Sequence, residues 1–479
     1  MTWTDEQEEI FACSDENIVI RALAGTGKTS TLREYARRRP GEPILYLVYN
    51  VEARRDAQGT FPRNVEVRTS HSVAYRALDP QLQSKVGDAY ANEVSWELRC
   101  SNDRAEQALR IVRRFFATDA RTVEEAARPG DSEYVMSLAE ALWRKMCDPR
   151  SNAIRLPHDG YLKLFALGDQ SRRMSRWRTL LLDEGQDSNP AMMSIVGSLT
   201  HMRRILVGDE NQSIYSFRGS VDAMQSFPGV RKTLTQSFRF GPSVARAANA
   251  VLAQKGETLE LVGKGGPSKV LFSKRPDDVL LLAYTNAEVL EAAALRKGEK
   301  VWFAGGITAY RMKRISDAYH LLSNRPELVR DREMSRFRSL GQLEGYAREI
   351  NSIDLLAVCG FVRRYGDETP GMMRDLESRA VDDQEKATFW LSTAHKAKGL
   401  EFPKVALGQI FDWEDYVGQR EKRFTRDMVE KLNLLYVAAT RAINELYADE
   451  TLAHAIAEYE GVPYEALVGQ RAAEGAPAV

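Results

Sequence analysis

The sequence predicts an α/β fold built on parallel sheets, with mainly helical insertions. Three observations carry that prediction. A glycine-containing loop joins an apolar, strand-like segment to a helix-like one. Short, unbroken apolar runs alternate with helical periodicity along most of the chain. Two long intervals lack such runs.

Taken in order, Asn17-Ile18-Val19-Ile20-Arg21 reads as a strand, Ala22 to Thr29 as a loop and Ser30 to Arg39 as a helix. The runs Ile44 to Val48, Val65 to Val67, Leu180 to Leu182 and Ile205 to Val207 follow, then Val279 to Ala283, Val301 to Ala304 and Phe389 to Ser392. Continuous apolar runs of this length fit strands covered on both faces. In residues 76–150, Leu98, Ala105, Ala108, Leu109, Val112, Phe115 and Phe116 recur at helical spacing. Residues 310–385 read as helical and rich in Arg. Both intervals read as insertions into α/β layers. Val262 to Pro267 reads as a flexible turn near a domain junction, and the Ala-rich stretch Arg471 to Val479 as disordered.

Composition bounds the answer. A chain of 479 residues accommodates about three domains. The 67 basic and 67 acidic residues cancel, so net charge does not point to nucleic acid, although a basic groove offset by acid elsewhere remains open. Cys13, Cys100, Cys147 and Cys359 lie far apart with no closely spaced pair, which argues against a zinc or iron–sulfur site and reads as reduced thiols. Met1 to Glu9 is acidic without an apolar signal core, and no apolar run is long enough to span a bilayer. The expectation is a cytoplasmic protein, nucleoid-associated in a bacterium or nuclear in a eukaryote, with no membrane partner.

The loop Ala22-Leu23-Ala24-Gly25-Thr26-Gly27-Lys28-Thr29-Ser30 has the context of a phosphate-binding loop. Small residues let successive N–H groups converge on one anion, and the following helix adds its positive end. Lys28 can reach β- and γ-phosphates, and the Thr29 hydroxyl can hold Mg²⁺. Ala22 stands where the strict pattern has its first Gly. Downstream, the strand Leu180-Leu181-Leu182 ends in Asp183-Glu184-Gly185-Gln186-Asp187. Asp183 would hold Mg²⁺, and Glu184 would orient and deprotonate an attacking water. The next strand ends in Val207-Gly208-Asp209-Glu210-Asn211-Gln212-Ser213-Ile214-Tyr215-Ser216-Phe217-Arg218-Gly219.

These two strand ends resemble the UvrD/Rep-like superfamily 1 DNA helicases. Gln7 resembles the family's adenine-reading glutamine; on the residues alone an exposed helix position fits equally. Thr69-Ser70-His71-Ser72 resembles a DNA-contact motif. Gln236-Ser237-Phe238-Arg239, Thr393-Ala394-His395-Lys396-Ala397-Lys398-Gly399-Leu400-Glu401-Phe402 and Leu434 to Ala442, with Arg441, resemble the fourth, fifth and sixth motifs. His158-Asp159-Gly160-Tyr161-Leu162-Lys163 and Tyr46-Leu47-Val48-Tyr49-Asn50 look most like the F-box DNA helicase branch; the expectation is a short bacterial or phage relative without an F-box segment. Gly185 replaces a more usual Ala or Cys. Tyr284 replaces an Arg common at that site, and no role is carried onto it.

The resemblance implies two RecA-like P-loop motor domains with ATP between them. The first, residues 1–75 and 151–240, would bind ATP and carry an insertion at 76–150. The second would span 241–309 and 386–455, with an insertion at 310–385 and a tail at 456–479. Lys28, Glu184, Gln212, Arg239 and Arg441 would act on the phosphates, the two arginines facing the γ-phosphate. Thr29 and Asp183 would hold Mg²⁺. Phe238 would stack on adenine and Glu401 would accept from the ribose, while Gln7 and residues 24–30 complete the ATP site. Thr69, His71, Ser72, Tyr215, Phe217, Arg218, Thr393 and His395 would line the path of single-stranded DNA. Arg172, Arg173, Arg176, Arg178, Arg311, Lys313 and Arg314 read either as salt-sensitive strand contacts or as solvated faces.

The implied protein is a monomeric ATP- and Mg²⁺-dependent motor on single-stranded DNA and tailed junctions. It would move 3′→5′ in repair or recombination. Two rivals stand: a translocase that strips proteins from DNA without processive unwinding, and a nucleotide-switched binding module.

Overall fold

The computed structural model describes residues 2–48, 51–214, 223–349, 352–422 and 424–474. The chain divides into two compact units, Met1–Thr235 and Gln236–Val479, so Ser237, Phe238 and Arg239 belong to the second. No helix among the described residues is long and apolar enough to cross a membrane.

The first unit is built on a six-stranded sheet paired in parallel throughout. Its strands are β1 (Asn17–Ala22), β2 (Ile44–Val48), β3 (Val65–Thr69), β4 (Thr179–Leu182), β5 (Arg203–Gly208) and β6 (Val230–Leu234), in the order β3-β2-β4-β5-β1-β6. Alternate side chains supply two cores. Ile18, Ile20, Tyr46, Leu181 and Ile205 pack under Leu32 and Tyr35 of the helix Lys28–Arg37. Val19, Leu45, Leu47, Leu180 and Leu206 pack on the opposite face. β6 escaped the periodicity reading because Val-Arg-Lys-Thr-Leu is an edge strand whose charged residues meet water.

The interval 76–150 is helical, mainly through Ala91–Leu98, Asn102–Ala117 and Glu133–Cys147. Ala105, Ala108, Leu109, Val112, Phe115 and Phe116 are buried, and they share one core with Leu180 and Leu206 of the sheet. Two buried lysines fasten the far ends of its long helices. Lys85 donates to Lys145 O at 2.5 Å and Asp148 O at 2.8 Å, at the end of Glu133–Cys147. Lys163, from the helix His158–Leu167, donates to Thr118 O at 2.8 Å and to Ala120 O, beyond the end of Asn102–Ala117. A cation there satisfies carbonyls that the helix leaves open.

The second unit opens with β7 (Gln236–Ser237) and β8 (Val262–Gly263), which pair with each other. Its main sheet has seven strands: β9 (Lys269–Leu271), β10 (Leu280–Ala283), β11 (Val301–Phe303), β12 (Ala380–Val381), β13 (Phe389–Thr393), β14 (Phe402–Leu407) and β15 (Ala442–Tyr447). Their order is β12-β11-β13-β10-β14-β15-β9, again with parallel pairing. β14 was hidden by Pro403 and Lys404 beside a register shift, and β15 by Asn444 and Glu445. The interval 310–385 is helical except at its end, where β12 adds a strand beside β11.

Two expectations are corrected. Val262 to Pro267 is not a free turn, because β8 is paired and Gly265 after it packs against the Arg239–Phe240 backbone. Arg471 to Glu474 continues the helix Tyr464–Glu474 rather than starting a disordered tail, and residues 475–479 lie outside the described ones.

Burial holds the Lys163 ammonium down to about 8. The unfolded residue titrates near 10.4, so between these values the unfolded chain binds more protons and rising pH stabilises the fold. Lys163→Met keeps volume but leaves two carbonyls without their donor. It is expected to cost about 1–3 kcal/mol in urea unfolding near neutral pH. The deficit relative to the parent should widen as pH rises above about 8, which unfolding curves at stepped pH will check.

Candidate nucleotide and DNA sites

The phosphate-loop residues stand at the end of β1. Ala22 is the last paired residue of that strand, opposite Leu234, and the next N–H, from Leu23, donates to Leu234 O at 3.0 Å. An extended, paired position needs no glycine, which accounts for Ala where the strict pattern has Gly. Gly25 (φ 74°) and Gly27 (φ 79°) do adopt left-handed backbone. Ala24 is buried, and the Thr26 hydroxyl donates to Leu23 O at 2.8 Å, closing the loop. The helix begins at Lys28, earlier than expected, so Lys28, Thr29 and Ser30 form its first turn, where N–H groups lack intrahelical partners. Gln7 is 2% exposed, which excludes the exposed-helix reading. Its amide accepts from Thr4 N at 3.1 Å and donates to Thr31 Oγ1 at 2.9 Å, joining the first helix to the one after the loop.

The carboxylates follow β4. Asp183 is buried, and its Oδ2 lies 3.3 Å from Thr29 Oγ1 and accepts from the Tyr46 hydroxyl. Its Oδ1 accepts from Glu184 N at 2.9 Å. Burial first, and the Glu184 charge second, push the Asp183 carboxyl above the usual range against the pull of Lys28. Glu184 sits in the left-handed region (φ 51°), which is uncommon for a non-glycine and concentrates at functional sites. Its carboxylate meets Lys28 Nζ at 3.4 Å and accepts from Gln186 Nε2 at 2.6 Å. Gln186 Oε1 in turn accepts from Asp209 N at 3.1 Å, and Asp209 Oδ2 from Gln212 Nε2 at 2.7 Å. A continuous polar chain thus runs from Lys28 to Gln212. A Cβ on Gly208 would lie 2.2 Å from Gln186 Oε1, so that glycine makes room for the bridge. A Cβ on Gly185 would meet Met224 Sδ at 3.1 Å, so Met224 fills the space left by the smaller residue.

Sequence reasoning gave no role to Tyr46 or Gln186. The signal was present as a Tyr inside an apolar run and a Gln between two acids. Its meaning depended on β2 lying beside β4, with Leu47 opposite Leu182.

In the second unit Arg239 pairs with Glu401 and donates to Thr440 O at 3.0 Å. The carboxylate expected on a ribose is therefore the partner of the arginine expected on a phosphate. Arg441 is 1% exposed. Its guanidinium donates to Val437 O at 2.8 Å, Leu400 O at 3.1 Å and Thr440 Oγ1 at 3.0 Å. Phe238 leaves 48% of its surface exposed. Glycines set this segment in place: a Cβ on Gly263 would lie 2.4 Å from Gly241 C, and one on Gly265 2.7 Å from Phe240 N.

Of the residues expected on a DNA path, Thr69 and Ser72 form a reciprocal helix cap at 3.2 and 3.1 Å. His71 Nε2 lies 3.2 Å from Asp159 Oδ1. Thr393 is buried, and its Oγ1 accepts from Lys396 N at 3.3 Å. Burial, then the charge of Lys396, holds the His395 imidazole down to about 4, so it acts as a neutral ring. Tyr284 lies 6.4 Å from that ring, and burial pushes its phenol up to about 12. Tyr215, Phe217 and Arg218 lie outside the described residues. Of the arginine clusters, Arg314 is shared among Asp331, Glu333 and Asp354, whereas Arg172, Arg173, Arg176, Arg178, Arg311 and Lys313 are exposed, Arg176 pairing with Glu66 at 2.6 Å over the Trp177 ring.

The UvrD/REP helicase N-terminal domain matches residues 161–227, and the UvrD-like helicase C-terminal domain matches residues 371–451. Each of the two units thus carries a match to a helicase family model of the UvrD/Rep type. Among curated relatives of this UvrD-like chain, F-box DNA helicase 1 of Gallus gallus is 29% identical over 95% of this chain and 50% of its own length. F-box DNA helicase protein 1 of Schizosaccharomyces pombe is 29% identical over 94% and 57%. ATP-dependent DNA helicase UvrD2 of Mycobacterium tuberculosis is 25% identical over 91% and 77%. The UvrD-like chain thus spans little more than half the length of the two F-box relatives. The likeness read from His158 to Lys163 and Tyr46 to Asn50 agrees with those two relatives.

Gly265→Ala is expected to push the Phe238–Phe240 backbone away and cost about 1–3 kcal/mol, the usual penalty of overpacking. Gly266→Ala, where a Cβ meets nothing within 4 Å, is the control. Thermal unfolding of the two variants side by side checks this.

Proposed function

We propose that the protein is an ATP-dependent, Mg²⁺-requiring motor that moves along single-stranded DNA and unwinds tailed duplexes, 3′→5′, in DNA repair or recombination. The observation that carries the reading is the cluster of Lys28, Thr29, Asp183 and Glu184 at the ends of β1 and β4.

The donor set fits Mg²⁺. Thr29 Oγ1 and Asp183 Oδ2 are hard oxygens side by side, with the Glu184 carboxylate and Lys28 adjacent. Among the described residues no group of three or more His, Cys, Asp or Glu is arranged around a metal, as befits an ion held mostly by substrate phosphates and water. When bound, Mg²⁺ neutralises charge on the phosphates. The chain's residues do the rest. Lys28 exchanges its contact with Glu184 for phosphate oxygens. The freed Glu184 carboxylate orients the attacking water and takes its proton. Gln186 passes the change to Asp209 and Gln212, which precede Tyr215, Phe217 and Arg218 by a few residues in sequence, the residues proposed to grip the strand. Arg441 and Arg239 stabilise charge in the phosphoryl-transfer transition state, and Phe238 stacks on the adenine.

This reading places the protein in the cytoplasm or nucleoid of a bacterium, or in a nucleus, acting as a monomer. The deciding experiment is ATP turnover with and without single-stranded DNA, paired with strand displacement on 3′- and 5′-tailed duplexes. DNA-stimulated turnover with displacement of 3′-tailed duplex is expected. Turnover that removes bound protein but displaces no strand would leave a stripping translocase, and absence of turnover would leave a nucleotide-switched binding module.

Two predictions follow from the residues. Lys28→Ala is expected to abolish turnover by removing a phosphate contact, and Glu184→Gln by removing the base. Glu184→Gln should still retain ATP in equilibrium binding, and near-normal turnover in either would refute the assignment. Arg441→Ala is expected to lower turnover by roughly 10³–10⁵-fold, as for a full arginine finger. It should also lower the melting temperature, because Val437 O and Leu400 O lose their donor. A loss of turnover no larger than the loss of folded protein would assign Arg441 to structure alone.

A further inference from the structure

β2 reads Ile-Leu-Tyr-Leu-Val, and the Tyr46 hydroxyl is the one polar side-chain atom in that strand. The residue is buried, so its hydroxyl needs an acceptor inside the protein. Register supplies one. Tyr46 stands opposite Leu181 of β4, and Asp183 lies two residues beyond Leu181, on the same face of the sheet. Pairing continues to that point, since Asp183 N donates to Leu47 O at 3.1 Å. A tyrosine is long enough to span the interval, and its hydroxyl donates to Asp183 Oδ2. The ring packs on Phe61, centroids 4.5 Å apart, in the segment before β3. The Asp183 carboxylate is thus held at both ends: Glu184 N donates to Oδ1 at 2.9 Å, while Tyr46 and Thr29 share Oδ2, Thr29 Oγ1 at 3.3 Å.

We propose that Tyr46 is a positioning residue for Mg²⁺: its hydroxyl keeps the Asp183 carboxylate turned toward Thr29, so that the two oxygens meant for the cation stay side by side. The proposal rests on the reading of this cluster as a Mg²⁺–ATP site, and extends that site to a strand outside the phosphate loop and the acidic strand end. Thr29 cannot do this work alone, because its hydroxyl oxygen is itself needed by the cation. Tyr46 has no such second duty, and its ring is fixed between strands by packing. It takes one lone-pair direction of Oδ2 and leaves the other open. Donors of this kind, one step removed from the ion, orient metal-ligating carboxylates, and their loss typically weakens metal binding about 10- to 100-fold.

The test is equilibrium binding of a fluorescent, non-hydrolysable ATP analogue to the full chain, in EDTA and across a Mg²⁺ titration. Tyr46→Phe removes the hydroxyl and keeps the ring on Phe61. It is expected to bind the analogue in EDTA as the parent does, and to need about 10- to 100-fold more Mg²⁺ for half of the Mg²⁺-dependent gain in affinity. Phe61→Leu, which loosens the ring but keeps the hydroxyl, should shift the Mg²⁺ requirement less. A Tyr46→Phe titration that matches the parent's, or a lower Mg²⁺ requirement, would overturn the proposal. So would an equal loss of binding in EDTA, which would assign the hydroxyl to the fold of the site, or an equal shift in Phe61→Leu, which would assign the effect to ring packing. A parent that binds no analogue, or binds it without response to Mg²⁺, would instead overturn the reading beneath.

Discussion

A buried carboxylate at the end of β4 is the constraint around which the first unit is arranged. Asp183 has lost most of its water, and charge in such a place is costly unless it is hydrogen-bonded and paired. Tyr46 from β2, the Glu184 backbone from the following turn and Thr29 from the helix after β1 converge on its two oxygens. Those donors come from three separate elements, so the parallel order β2-β4-β5-β1 is what allows the site to exist. What remains is an excess of negative charge beside Lys28, which a divalent cation would balance. The left-handed backbone of Glu184 belongs to the same economy of space, because it turns the chain at once from strand into the segment that carries Gln186.

A second rule governs many of the basic residues. Helices end in carbonyls without partners, and this chain repeatedly answers with a buried cation from elsewhere in its sequence. Lys85 and Lys163 serve the insertion of the first unit. Arg204 serves the helix Pro190–Ser198 through Gly197 O at 2.9 Å. Arg379 donates to Ala293 O, Arg296 O and Glu299 O after Asn286–Ala294, and Arg441 to Val437 O in Arg426–Ala439. At these positions positive charge is internal scaffolding.

The sequence by itself determined the class of fold and the identity of most site residues. Apolar runs flanked by helical periodicity marked seven of the parallel strands after β1; in all of them but β3, an edge strand that holds Glu66 and Arg68, burial keeps charge out of the strand's middle. Glycines at 25 and 27 and acids at 183 and 184 were legible because left-handed turns and phosphate chemistry leave few alternatives. Of the strands it missed, β7, β8, β9 and β12 are only two or three residues long, and in β6, β14 and β15 an edge position, Pro403 or polar residues break the pattern. Only the tertiary structure decided the partners. That Tyr46 serves Asp183, that Gln186 joins Glu184 to Asp209, that Arg239 is held by Glu401 and that Lys163 closes a helix are facts of side chains far apart in sequence. Local pattern records which face of an element is buried, and it holds no information about which element arrives to meet it.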